Sequence, residues 1–367
     1  MGAFESVANW LLSSGIQNIT SNEKNGSFNS WYDIDSGSYP YMYSEITGYG
    51  ITALLYLYDI TGKEIFLERA KLAGDWLLSV IQDCGGVIAK IYHDGRKDER
   101  IFAFDNGMVL YGLANLARVS GDNSYSDGTK RIADFLLLMQ SSGMNALFDT
   151  EHGPFNSKEK WSTQAGGYHA KLSLGLLEAA KILGRSKYAK AAEELCNKAI
   201  KFQDPSGRFV FDTLSDAKAT HLHPHAYACE GLVYADKFLG RQRFMDNVER
   251  AVKWSLDQQM SDGGLPTLCS PTSSDKSQRT DILSQHVRLG VLMLQEGRLA
   301  GYSERINALL KRLMSFQNNS GKQAGGFFYG YENGKKMNHI NSWCSMFALQ
   351  AVRYGEHGKK VKIDYFV

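Results

Sequence analysis

Six short clusters of acidic, aromatic and histidine residues recur along the chain at intervals of about sixty residues, and their side chains are suited to chemistry. Carboxylates and imidazoles are common proton-transfer groups in enzymes, and Arg binds carboxylates in a planar fork. The candidate catalytic residues are Glu45, Asp105, His225 and Asp281. The candidate substrate-binding residues come from the same clusters and one connection; they are Tyr43, Tyr49, Asn106, Trp161, Tyr168, His169, His223, Tyr227, Arg279, Gln285, Asn341 and Trp343.

The stretch 39–82 contains the element that positions the first cluster. Residues from about Ile46 to Asp59 are apolar or aromatic on nearly every side, which predicts a fully buried helix. Residues from about Lys63 to Ile81 alternate apolar and charged types at the helical period, which predicts a half-exposed helix. Thr61 and Gly62 between them are typical of a tight turn. The sequence therefore predicts a hairpin of one inner and one outer helix.

This hairpin repeats along the whole chain. The outer helices end alike, in a glutamine at Gln17, Gln82, Gln140, Gln203, Gln259 and Gln317. Between hairpins lie Gly-containing, aromatic connections of about twenty residues, which predict short β-hairpins. The chain starts with an unpaired outer helix (Val7–Gln17) and ends with an unpaired inner helix (Asn341–Tyr354). If these two pair, the repeats close. We therefore predict an all-α fold, an (α/α)6 toroid of six helical hairpins, with residues 1–367 as one domain and the β-hairpins on one face.

The predicted toroid places the clusters at one end. Each inner helix is entered from the same kind of connection, so six helix N-termini meet there and give the basin a positive field. In a six-fold ring the first repeat faces the fourth and the second faces the fifth. Glu45 should then face His225, and Asp105 should face Asp281. The expected gap of up to about 10 Å suits a pair of acids that flank a sugar.

Two other interpretations of these residues stay open at this point. Ser44, Asp105, Asp281 and Ser342 each stand where a side chain commonly caps a helix. His221, His223 and His225 alternate as metal ligands can on an extended strand, but no carboxylate lies at ligand spacing and a helix N-terminus repels cations. We expect no metal and no cofactor, with His225 a neutral base or a packed histidine.

Composition narrows the function classes. The net charge is +2 and no basic run occurs, which argues against nucleic acid. No stretch of about eighteen apolar residues predicts a membrane span, and no basic-then-apolar start predicts a signal peptide. Five scattered cysteines have no disulfide or metal spacing, so we expect a cytoplasmic protein. We also expect a monomer or a weak homo-oligomer. The 19 Tyr, 18 Phe and 6 Trp occur partly in the connections, where rings can stack on sugars.

At these clusters the chain resembles a known group. Hairpins with an aromatic, acidic inner start and the ending NSWCSMFALQAV resemble the six-hairpin toroid carbohydrate-active enzymes. That group includes unsaturated glucuronyl hydrolases, N-acylglucosamine 2-epimerases and the helical domain of glucuronyl C5-epimerases. The segment YSEITGYGITALLYLYDITG is similar to toroid proteins encoded among polysaccharide-assembly genes. The resemblance implies a carbohydrate substrate.

We therefore expect a glycoside hydrolase that acts on an acidic, uronate-containing oligo- or polysaccharide. Asp105 and Asp281 are the acid–base candidates, with Glu45 third. One alternative is a polysaccharide lyase or sugar epimerase, in which Tyr168 and His225 transfer protons while Arg279 neutralises a uronate. Another is a non-catalytic glycan-binding toroid in a polysaccharide-assembly system.

Overall fold

The computed structural model describes residues 2–141, 143–210, 219–270, 274–357 and 361–367. Within these residues twelve α-helices alternate between an outer and an inner ring. The outer helices are α1 (Ala3–Ser13), α3 (Glu64–Ser79), α5 (Asn123–Gln140), α7 (Ser186–Ala199), α9 (Met245–Asp257) and α11 (Ser303–Met314). The inner helices are α2 (Ser44–Thr61), α4 (Ala103–Ser120), α6 (Ser173–Leu183), α8 (Leu222–Leu239), α10 (Thr280–Gln295) and α12 (Ser342–His357). The predicted (α/α)6 toroid is confirmed.

The described residues also contain three short 3-10 helices. Trp161–Thr163 lies in a connection, Gly167–Leu172 directly precedes α6 and Ile200–Phe202 directly follows α7. The third inner helix therefore begins as a 3-10 turn, and its α-helical part starts only at Ser173.

Glycines allow the inner helices to approach closely. A Cβ atom on Gly48 of α2 would lie 2.8 Å from the backbone of Met108 in α4. In the opposite direction, a Cβ on Gly112 of α4 would lie 2.7 Å from the carbonyl oxygen of Gly48. Real Cβ atoms do not tolerate such distances, so backbone-to-backbone packing at this contact requires glycine.

A glutamine that follows four of the outer helices within a few residues joins neighbouring repeats. Gln203 donates from its side-chain amide to the carbonyls of Gly207 (2.7 Å) and of Asn247 in α9 (2.9 Å). The same pair of bonds is made by Gln17, Gln259 and Gln317, each to a following glycine and to the next outer helix. Gly207 has a φ of 102°, and a Cβ there would meet the Arg250 carbonyl. The recurrent Gln and Gly are thus explained by packing between outer helices.

The connections form small antiparallel sheets at the end of the toroid where the inner helices begin. In four of the sheets, the strand before one inner helix pairs with a strand of the following connection. The strands are β1 (Trp31–Asp33), β2 (Tyr41–Tyr43), β3 (Lys90–Tyr92), β4 (Lys97–Asp98), β5 (Ile101–Phe102), β6 (Leu147–Asp149), β7 (Gly153–Phe155), β8 (Thr220–His221), β9 (Leu268–Cys269), β10 (Gln278–Arg279), β11 (Phe327–Phe328), β12 (Gly330–Glu332), β13 (Lys335–Lys336) and β14 (His339–Asn341). The predicted β-hairpins on one face are confirmed; residues 211–213 of the predicted fourth connection lie outside the described residues.

The two ends of the repeat pair as predicted. Strands β1 and β14 are antiparallel, with Trp31 opposite Asn341. The Ser342 hydroxyl bonds the Ser30 carbonyl at 2.6 Å, and Gln317 donates to the Ala3 carbonyl at 3.3 Å. Helix α1 packs against α12. The ring is therefore closed through both its sheet layer and its outer helices.

Candidate active site

A cavity of about 270 Å³ lies at the end of the toroid where the inner helices begin, as expected. Eight of the sixteen predicted site residues line it: Tyr43, Glu45, Asp105, Trp161, His223, Tyr227, Arg279 and Trp343. Its other walls come from Ile46, Lys90, Asp98, Arg100, Phe102, Phe104, Lys160, Ser162 and Tyr329. The cavity thus combines carboxylates, cations and aromatic rings.

The junction between strand and inner helix positions these side chains. Tyr43 is the last residue of β2 and Glu45 is the second residue of α2. Arg279 and Asp281 occupy the matching positions of β10 and α10, and His223 and Trp343 are second residues of α8 and α12. Because the sheets fix each junction against its neighbour, residues far apart in sequence are held around one space.

Glu45 and Asp105 form what we call the acid pair, contributed by the adjacent inner helices α2 and α4. Burial raises the pKa of Glu45 to about 7, although the Tyr43 hydroxyl and the Lys90 ammonium act to lower it. Burial and the neighbouring Glu45 charge raise the pKa of Asp105 well above its ordinary value. Because the charge of one carboxyl raises the pKa of the other, the two groups titrate as a unit.

Asp105 does not act as a helix cap. Helix α4 follows Phe102, and no side chain caps its first turn. Asp105 is only 3% exposed, and its Oδ2 atom has no hydrogen-bond partner among the described residues. Ser44 likewise bonds the Ile88 carbonyl across the connection at 2.7 Å. Leaving an ionised carboxyl oxygen buried without a partner is costly, so this environment favours the protonated form of Asp105.

The structure corrects the predicted pairing of Asp105 with Asp281. Asp281 is fully buried in a bidentate ion pair with Arg279, accepts from the Trp343 indole at 3.0 Å and lies 3.5 Å from His223 Nδ1. Although burial acts to raise it, the adjacent Arg279 charge holds the pKa of Asp281 well below its usual range. A carboxylate so strongly bound is not a proton donor, and it instead orients Arg279 and Trp343.

His223 faces the cavity as a neutral imidazole of defined tautomer. Its Nδ1 atom lies 2.8 Å from Gln285 Oε1, while Gln285 Nε2 lies 3.3 Å from a Glu230 carboxylate oxygen. A carboxylate only accepts, so Gln285 must present its oxygen to His223, and Nδ1 must carry the proton. Burial lowers the pKa of His223 to about 4, which keeps the ring neutral. Nε2 is then left with a lone pair for a ligand.

The structure corrects the placement of His225, which does not line the cavity. Its Nε2 bonds the Ala251 carbonyl in α9 at 3.1 Å, and its Nδ1 accepts from the Phe209 N–H at 3.2 Å. It therefore cannot face Glu45 as predicted. Because α8 begins at Leu222, His223 and His225 are separated by about 200° around the helix rather than on one face of a strand.

Six predicted binding residues also lie outside the cavity lining. Tyr49 bonds the Tyr227 hydroxyl from below, Asn106 bonds backbone of the connection, and Tyr168 bonds the Gln164 carbonyl. His169, Gln285 and Asn341 complete this set, each bonded within the protein. The alternative in which Tyr168 and His225 transfer protons therefore loses both of its groups.

Sequence reasoning missed the lysines of the connections. Lys90 in β3 lies 4.7 Å from the Tyr41 ring centroid, and Lys160 lies 5.4 Å from that of Phe102. Arg100, also in a connection, bonds Asp98 at 2.7 Å. Tyr329 stacks beneath Arg279 at 4.7 Å. These residues lie in the connections rather than in the inner helices, and no helical periodicity marks them.

Comparison with known proteins shows what the architecture shares with others. No family model matches the chain, and no curated protein does at the level of sequence. A sugar epimerase from a ruminal bacterium superposes with a TM-score of 0.77 at 14% identity, over 95% of this chain and 96% of that chain. An unsaturated glucuronyl hydrolase specific for heparin superposes with a TM-score of 0.69 at 15% identity, over 96% of this chain and 95% of that chain. A polysaccharide lyase superposes with a TM-score of 0.65 at 14% identity, over 97% of this chain and 99% of that chain. This chain therefore has the toroid fold of several carbohydrate-processing enzymes.

No described helix is both long and apolar enough to span a lipid bilayer.

Proposed function

We propose that this protein is a carbohydrate-active enzyme that hydrolyses a glycosidic bond in an acidic, uronate-containing oligosaccharide, with Glu45 and Asp105 as its acid–base residues. The observation that carries this proposal is the acid pair: two coupled carboxyls with raised pKa values beside one cavity. Enzymes that cleave glycosides use such pairs, one carboxyl protonated and one ionised. Solved structures with the same fold include sugar-processing enzymes, which supports a carbohydrate substrate.

The environments of the two acids assign their roles. Asp105 is the more deeply buried, and its Oδ2 atom has no hydrogen-bond partner among the described residues, so Asp105 is the better suited to be the protonated member of the pair. In the proposed step Asp105 donates its proton to the glycosidic oxygen as the bond to the anomeric carbon breaks. Glu45, which is partly exposed to the cavity, takes a proton from the water whose oxygen joins that carbon. The products are two sugars with free hydroxyl groups, and the pair has exchanged one proton for another.

The charge of the cavity favours an anionic sugar. Asp281 neutralises Arg279, and Asp98 neutralises Arg100. With Asp105 protonated as proposed, the acid pair carries one negative charge against the two positive charges of Lys90 and Lys160. One positive charge is left over for a carboxylate or sulfate of the substrate. Trp161, Trp343 and Tyr329 supply aromatic surface for the sugar rings.

The five cysteines are all unpaired, which supports our placement of the enzyme in the cytoplasm.

The test replaces Asp105 with asparagine. Asp105→Asn keeps the shape of the side chain and removes the proton donor, so we expect a loss in kcat on the order of 10²–10⁴-fold. Release of reducing ends would be measured on a panel of saturated and unsaturated uronate oligosaccharides. Asp98→Asn is the matched control, because Asp98 lines the same cavity but is bonded to Arg100. Turnover that survives Asp105→Asn would refute the assignment, and binding without any wild-type turnover would favour a glycan-binding toroid.

One observation favours a second candidate function. The free Nε2 atom of neutral His223 lies in the same cavity as Arg279, so His223 could remove a proton beside a carboxylate of the substrate. That chemistry would make the enzyme an epimerase or a lyase. Solvent deuterium in the product indicates epimerisation, and a new ultraviolet absorbance indicates elimination. Here His223→Asn would abolish turnover, whereas Asp105→Asn would leave proton removal in place.

A further inference from the structure

The segment 361–367 enters the toroid from the end opposite the cavity, and its last three residues are buried. The Val361 N–H bonds Gln295 at the last turn of α10, and the Lys362 carbonyl accepts from Tyr354 in α12, both at 2.9 Å. Further in, the Asp364 carbonyl accepts from Tyr111 at 2.7 Å. Phe366 and Val367 are fully buried between the inner helices. The segment therefore occupies the axis of the ring on the side opposite the cavity.

Two buried cations hold the inner end of this segment. The Val367 carbonyl accepts from Lys171 Nζ at 3.0 Å and from Arg288 Nη1 at 2.6 Å. Lys171 and Arg288 both have side chains with no exposure to solvent. The Phe366 ring lies against the same two cations, 5.6 Å from Lys171 and 4.8 Å from Arg288. Buried cations require partners, and the segment supplies part of that set.

The same cations bind Glu230, and further hydrogen bonds connect Glu230 to the cavity. Lys171 Nζ and Arg288 Nη2 each lie 2.6 Å from a carboxylate oxygen of Glu230. Gln285 Nε2 donates to Glu230 at 3.3 Å, and Gln285 Oε1 accepts from His223 Nδ1 at 2.8 Å. A continuous chain of polar contacts thus runs from Val367 to the ring of His223.

Lys171 also supports the aromatic layer below the cavity. Its ammonium lies 5.0 Å from the ring centroid of Tyr227, 5.5 Å from that of Phe347 and 5.7 Å from that of Tyr49. Tyr227 lines the cavity, and the Tyr49 hydroxyl bonds its oxygen at 3.0 Å. The position of Lys171 therefore affects both Tyr227 and, through Glu230, His223.

We propose that segment 361–367 is an internal plug that positions His223 for ligand binding, and that Arg288, Glu230 and Gln285 transmit its effect. Without the segment, two buried cations would share one carboxylate beside an empty axis. Glu230 would be free to turn toward whichever cation or water replaced the lost contacts, and Gln285 would lose its fixed orientation. The proton on His223 Nδ1 would then be held only by the Asp281 carboxylate, 3.5 Å away, and the tautomer would be less strictly fixed.

The experiment observes the His223 tautomer directly by NMR of protein labelled with ¹⁵N-histidine, using His223→Asn to assign its signals. In the full chain we expect a proton on Nδ1 only. Removal of residues 361–367 should give a mixture of both tautomers. A peptide of sequence VKIDYFV added in trans should restore the single tautomer, and the same peptide with alanine at the position of Phe366 should restore less.

Two full-length variants guard against failure of the shortened chain to fold. Phe366→Ala should weaken the binding of the plug, and Gln285→Leu should remove the shorter of the two contacts at His223 Nδ1, leaving only Asp281 at 3.5 Å. Both should give mixed tautomers. A folded shortened chain, or both full-length variants, with His223 unchanged from wild type would overturn the proposal. The readout does not depend on turnover, so it stands apart from the test of hydrolysis by Asp105→Asn.

Discussion

Replacement of Glu45 by glutamine should change the stability of the protein in a pH-dependent way. The pKa of Glu45 is about 7 in the folded chain against an ordinary value of 4.5. Since one pKa unit corresponds to about 1.36 kcal/mol, full burial would give a difference of roughly 3 kcal/mol. Glu45 is partly exposed to the cavity, and we reduce this figure to about 2 kcal/mol for solvent screening.

The sign follows from proton linkage. The folded state binds the Glu45 proton more tightly than the unfolded state does. The stabilisation is therefore complete below pH 4.5 and is lost as the pH rises through about 7. The glutamine side chain of the variant cannot ionise, so Glu45→Gln should match wild type in acid and exceed it above neutrality. With an entropy of unfolding of about 2.1 cal/mol/K per residue, about 2 kcal/mol corresponds to roughly 3 °C in Tm.

Thermal unfolding of both proteins between pH 4.5 and 8.5 measures this difference. Asp98→Asn is a suitable comparison, because hydrogen bonds from Arg100 lower the pKa of Asp98. That variant should lose stability at neutral pH and regain parity in acid, the opposite trend. A gap between wild type and Glu45→Gln that is equal at pH 5 and pH 8 would refute the burial argument for the acid pair.

Two further predictions concern the interior. Lys171→Met should destabilise the chain by about 3–5 kcal/mol, because it leaves Glu230 with one cation, and the double variant with Glu230→Gln should recover part of this loss in urea unfolding. Gly48→Ala should cost about 1–3 kcal/mol in the same assay, because its Cβ would overlap the backbone of Met108; Gly62→Ala, where no atom lies within 4 Å, should cost only about 1 kcal/mol, for its positive φ.

Local sequence pattern predicted much of the architecture. The apolar period of α2 and α3 and the recurrent Gln and Gly predicted the hairpins, because helix burial and turn geometry depend on residues close in sequence. The unpaired first and last helices predicted ring closure, which the contacts of Ser342 confirm. The end of the ring that holds the cavity followed from the common direction of the inner helices.

Local sequence pattern could not predict the hydrogen-bond and ion-pair partners of the acidic residues. Asp105 and Asp281 occupy similar places in their repeats, yet Asp105 has one oxygen without a hydrogen-bond partner among the described residues, whereas Asp281 is neutralised by Arg279. The error at His225 has a local cause: α8 begins at Leu222, three residues before His225, and this turns the His225 side chain toward the outer helix α9. Lys90 and Lys160 were missed because they lie in the connections and not in the inner helices.

The sequence by itself determined which segments are buried, which way the inner helices run and where a ligand could reach them, because these depend on periodicity and repeat order. Only the tertiary structure decided that Glu45 lies beside Asp105, that Asp281 is bound to Arg279 and that segment 361–367 enters the ring axis. The reason is electrostatic and steric: the charge state of a buried group depends on the neighbours that packing brings to it, and those neighbours come from distant repeats.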